Sequence, residues 1–124
     1  MPTRPRRPLV LLLLVLTFTL AACESGPDTS PADSPPVRGV TTVEAKNLKF
    51  LPPAIEVKPG TEVTWRFADG AVPHNVKGDG FASGNQERGS FSHRFANAGE
   101  YRYRCTLHGG MEGRVVVVAA GEHG

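Results

Sequence analysis

Short segments with an apolar residue at every second position recur along the C-terminal two thirds of this chain, each closed by a turn signal. They constrain the fold more than any other feature. Ile55 and Val57, then Val63, Trp65 and Phe67, then Phe91 and Phe95, then Tyr101 and Tyr103 each put their large side chains on one face of an extended strand, and a valine run from Val115 to Val118 follows. Pro52-Pro53, Pro59-Gly60, Asp69-Gly70, Gly78-Asp79-Gly80 and Asn97-Ala98-Gly99 separate them. No stretch sustains a helical period. With 14 Gly and 11 Pro in 124 residues, this reads as one all-β sandwich domain of about seven to eight strands. The Phe91–Phe95 and Tyr101–Cys105 segments, joined by Ala96-Asn97-Ala98-Gly99, are expected to pair as a hairpin with Arg94 across from Glu100.

The N-terminus has a different fate. Arg4, Arg6 and Arg7 precede an apolar run from Leu9 to Leu20, then Ala21, Ala22 and Cys23, which is the order of a secretory signal. A span needs roughly 20 residues, so the run is short for a transmembrane helix. Leu20-Ala21-Ala22-Cys23 resembles a bacterial lipobox, so residues 1–22 are expected to be removed and Cys23 lipidated. The protein is then held outside the cytoplasm on a bacterial cell membrane, on its periplasmic or cell-surface side. Loss of three arginines turns the formal charge from +2 into −1, with 11 basic against 12 acidic residues. Neither value fits a strongly basic nucleic-acid module. Residues 24–38, ESGPDTSPADSPPVR, hold four prolines, three serines and one large apolar residue, so 23–39 is expected to be an unfolded tether. The folded domain is expected over 40–120, with 121–124 as a tail.

Cys105 demands a chemical explanation. With Cys23 acylated it has no disulfide partner, and it is either an inert core thiol or a functional one. In Cys105-Thr106-Leu107-His108-Gly109-Gly110-Met111 a thiol, an imidazole and a thioether follow one another at intervals of three. Soft sulfur with imidazole suits copper, and Cys, two His and a weak axial Met describe a blue-copper electron-transfer site. The second imidazole must come from elsewhere. His93 alternates with Phe91 and Phe95 and reads as a core-face residue, while His123 lies in a Gly-rich tail. His74, in Val72-Pro73-His74-Asn75-Val76, is the candidate.

At this level the domain resembles a small cupredoxin of the plastocyanin and amicyanin type. The resemblance is carried by Phe50-Leu51-Pro52, the segment from Val57 to Trp65, Pro73-His74-Asn75-Val76, Gly99 to Cys105, and the ligand loop followed by Gly113 and the valines. It implies a Greek-key sandwich binding one copper ion through His74, Cys105, His108 and Met111. It further implies that Asn75 hydrogen-bonds across to the Cys105 loop, and that His108 reaches the surface through an apolar partner patch framed by Val72, Pro73, Leu107 and Met111. Where relatives of this type carry Pro before the second His, this chain has Leu107, whose backbone N–H is then free to aim at the Cys105 sulfur.

The resemblance implies a monomeric carrier exchanging single electrons with redox partner proteins, not an enzyme. Arg102 and Arg104, placed beside Arg94 on an outer face, could favour an acidic partner or be a plain solvated surface. Two other readings remain open at this stage: a copper-delivery lipoprotein of the same fold, and an enzyme using Cys105 as nucleophile.

Overall fold

The computed structural model describes residues 2–5 and 29–121, so the apolar run Leu9–Leu20, Cys23 and His123 lie outside the described residues. Among those described there is one 3-10 turn, Pro31–Asp33, no α-helix, and ten strands. The strands are β1 (Val37–Arg38), β2 (Thr42–Lys46), β3 (Lys49–Leu51), β4 (Ala54–Val57), β5 (Thr61–Phe67), β6 (Lys77–Gly78), β7 (Phe81–Ala82), β8 (Ser90–Phe95), β9 (Gly99–Arg104) and β10 (Glu112–Val117). They form two sheets, one in the order β1-β4-β10-β9-β6-β7 and the other β3-β2-β5-β8. The segmentation is finer than expected because β1, β6 and β7 are two-residue strands along one sheet.

Alternation explains which side chains meet between the sheets. In β5 Val63, Trp65 and Phe67 are buried while Glu62 and Arg66 face water. In β10 Gly113, Val115 and Val117 point inward. Trp65 is the hub: its ring lies against those of Phe81, Phe91, Phe95 and Tyr103, the last edge-on at 5.2 Å. Burial of this size supplies the main drive for closing the two sheets on each other.

The expected hairpin does not form. β8 pairs antiparallel with β5 in one sheet, and β9 pairs with β10 and β6 in the other, so residues 96–98 arch between sheets. Arg94 faces Glu62 at 3.7 Å and donates to the Gly60 carbonyl, whereas Glu100 takes Arg114 at 3.0 Å. Arg94 and the Arg102–Arg104 pair therefore lie on opposite faces of the sandwich. The physical reason is that alternation fixes the inward face of a strand but is silent about its lateral neighbour. Gly99, at φ 151°, adopts a backbone that side chains disfavour and lets the chain enter β9 directly after the arch.

The tether also needs correction. Residues 30–38 are part of the folded domain: Ala32 is 1% exposed, Ser34 O accepts from Arg114 at 3.1 Å, and Val37 and Arg38 pair in parallel with Ile55 and Glu56. The segment has too little apolar surface to fold by itself, but a preformed sheet edge supplies its partners.

Candidate metal centre

His74 lies in the connection between β5 and β6. Its backbone is pinned on both sides by Gln86, with N–H to O at 3.0 Å and the return bond at 2.8 Å. The ring is fully buried, and Nε2 meets Oδ2 of Asp69 at 2.8 Å. That carboxylate also accepts the Leu48 N–H at 3.1 Å. The hydrogen bond from His74 first, and the one from Leu48 second, hold the Asp69 carboxyl below its ordinary 3.8. An ionised Asp69 accepts from Nε2–H, which leaves the lone pair on Nδ1. That nitrogen faces the Cys105 sulfur at 3.9 Å.

Cys105 follows the last residue of β9 and is buried and free. Its N–H donates to Met111 O at 2.9 Å, closing the ligand loop onto the base of β10. His108 is half-buried, its ring edge-on to His74 with centroids 4.9 Å apart, and its Nε2 lies 3.0 Å from Pro73 O. One donor atom each from His74, Cys105 and His108 lies within 4.8 Å of the other two. Met111 is buried and lines a cavity of about 160 Å³ with Cys105 and His108.

Asn75 joins the two ligand segments. Its Nδ2 donates to Thr106 Oγ1 at 2.7 Å and to Asn85 Oδ1 at 2.8 Å, and its Oδ1 accepts the Thr106 N–H at 2.9 Å. Around the site Val72, Pro73 and Leu107 are exposed, Leu107 by 42%, but Met111 is not and does not belong to a surface patch. Among the described residues the hydrogen-bond contact of the Cys105 sulfur is with His74 Nδ1. Asp69, Thr106 and Asn85 were not singled out from the sequence. Asp69 could have been: an Asp-Gly turn five residues before a buried His leaves a carboxylate in reach of the ring.

Two stacked sheets with a buried Cys and two His gathered at one end define a cupredoxin. A family model described as copper binding proteins of the plastocyanin/azurin family matches residues 37–118, and the chain belongs to that family. It is 34% identical over 117 residues to amicyanin of Paracoccus denitrificans, covering 87% of this chain and 88% of the relative. It is 36% identical over 90 residues to amicyanin-alpha of Methylorubrum extorquens, covering 64% and 72%. Among solved structures, a purple cupredoxin from Nitrosopumilus maritimus superposes with a TM-score of 0.58 at 28% identity, covering 64% of this chain and all of that one. A reduced amicyanin variant does so at 0.58 and 32%, covering 64% and 83%.

The cofactor is one copper ion, and the residues fit it. A thiolate with two imidazoles and a nearby thioether is the soft, mixed donor set that copper favours over the all-oxygen sets of magnesium or calcium.

Proposed function

We propose that this protein is a type 1 copper electron carrier, in which His74, Cys105 and His108 would hold the ion and Met111 would add a weaker thioether donor. The observation that carries the reading is the convergence of three donor atoms within 4.8 Å in a largely buried pocket, at a thiol with no disulfide partner. When bound, copper supplies a one-electron couple. The chain's own residues do the rest. Asp69 holds His74 in one tautomer, Asn75 ties the His74 segment to the Cys105 loop, and burial of His74, Cys105 and Met111 keeps water away. Such a scaffold gives a substrate little room to coordinate, which favours electron exchange over bond chemistry.

We further read the carrier as a monomer, lipid-anchored at Cys23 on the outer side of a bacterial cell membrane, exchanging electrons with redox partner proteins around His108. Val72, Pro73 and Leu107 form the contact patch in this reading. Kinship with amicyanins supports it, as does the Leu20-Ala21-Ala22-Cys23 sequence.

Adding Cu(II) to the purified protein is expected to give an intense blue colour from thiolate-to-copper charge transfer, abolished by Cys105→Ala. A pale wild-type protein, or colour that survives the substitution, contradicts the carrier. Reversible voltammetry with slow copper loss to a chelator separates electron transfer from the alternative, copper delivery, in which the metal leaves readily. Labelling with a lipid precursor, lost on Cys23→Ala, tests the anchor.

A further inference from the structure

The strap formed by residues 30–38 does more than cover a sheet edge. Ser30 caps the 3-10 turn by accepting the Ala32 N–H at 3.2 Å, which orients its hydroxyl and leaves the proton to donate elsewhere. It donates to Oε2 of Glu112. Glu112 is the first residue of β10 and directly follows Met111, whose carbonyl holds the Cys105 N–H. Ser30, Glu112, Met111 and Cys105 thus form one continuous series of covalent and hydrogen bonds.

A second observation converges on the same place. On its other side the loop borders a cavity of about 240 Å³ shared by Pro31, Phe50, Leu51, Gly110 and Met111. Within the loop Met111 is tied through its backbone, its N–H to His108 O at 3.4 Å and its carbonyl to the Cys105 N–H at 2.9 Å, while the glycines before it add no side-chain packing. Gly109 and Gly110 carry no side chains, and nothing lies within 4 Å of where their Cβ atoms would be. From outside the loop, the strap reaches Met111 from its C-terminal side, through Glu112. Further along, the Asp33–Arg102 pair and the Ser34 O bond to Arg114 fix the strap to β9 and β10.

We propose that the strap is a positioning element for the thioether ligand, acting from Ser30 through Glu112 on Met111. This rests on the reading of Met111 as that ligand. Loss of the Ser30 hydroxyl frees the start of β10, lets Met111 move relative to His74, Cys105 and His108, and loosens the Cys105–Met111 backbone bond.

The test uses the full chain with Ser30→Ala and, as the conservative rescue, Ser30→Thr. In the metal-free protein, amide exchange at Cys105 is expected to quicken about tenfold in Ser30→Ala, the worth of a hydrogen bond to a charged acceptor. It should return toward wild type in Ser30→Thr, with Trp65 and Val115 amides unchanged. In the copper-loaded protein, Ser30→Ala should alter the relative intensities of the visible charge-transfer bands and speed copper loss to a chelator. Unchanged exchange at Cys105, or an equal rise at every core amide, overturns the proposal and leaves the strap a general stabiliser. Because the exchange readout needs no metal, a wild-type chain that fails to turn blue counts against the copper reading alone.

Discussion

His74, a ring with no exposed surface, has its Nε2 set 2.8 Å from Oδ2 of Asp69, so an ionised carboxylate decides which nitrogen of this histidine is free. Asp69→Asn keeps the shape but removes the charge that orients the ring and raises its basicity. Copper affinity is expected to fall by roughly 10- to 100-fold. Competition with a chromogenic chelator measures it, and the reduction potential should rise, since the removed negative charge favoured the oxidised ion.

Asn75 makes three hydrogen bonds across two loops while 7% exposed. Asn75→Ala strands the Thr106 N–H and frees the Cys105 loop from the His74 segment. At about 1 kcal/mol per bond, the metal-free protein should lose about 3 kcal/mol of stability in urea unfolding. Copper should leave the variant faster than the wild type.

Gly113 faces Tyr103 across β10 and β9, and a Cβ there would come within 2.3 Å of the tyrosine ring. That ring cannot swing aside, because Phe50 lies edge-on at 4.8 Å and Trp65 at 5.2 Å. Gly113→Ala is expected to cost about 2 to 3 kcal/mol through overpacking, read as a lower urea midpoint with an unchanged slope.

Asp33 is held below its ordinary 3.8 by its hydrogen bond to Arg102. A carboxyl depressed in the folded state contributes stability above its unfolded pKa and loses it as pH falls through the folded one. Attachment of the strap is therefore expected to weaken below about pH 4. Protection of the amides at Ala32, Asp33, Ser34, Val37 and Arg38, taken relative to the intrinsic exchange rate at each pH, should fall on acidification in the wild type, and this pH step should shrink in Asp33→Asn.

Much of the site was legible because its chemistry is local. Cys105, His108 and Met111 fall on one seven-residue loop, and the donor types alone narrow the metal. His74 could be picked because the other histidines had blander explanations. Thr106 and Asn85 were not legible, since a loop threonine and a loop asparagine look the same whether or not Asn75 waits between them, whereas Asp69 lies close enough in sequence to His74 to have been found. The Ser30–Glu112 contact joins residues 82 positions apart, and nothing in a Pro/Ser-rich stretch announces it.

The sequence by itself determined the β character, the inward faces and the donor set, because alternation and side-chain chemistry are properties of short segments. The tertiary structure alone decided which strands are neighbours, and so turned an expected hairpin into an arch between sheets. It likewise drew a segment expected to be a tether onto β9 and β10, because pairing energy depends on which partners packing leaves within reach. It also decided which nitrogen of His74 is free to bind, since that rests on a carboxylate delivered by the fold.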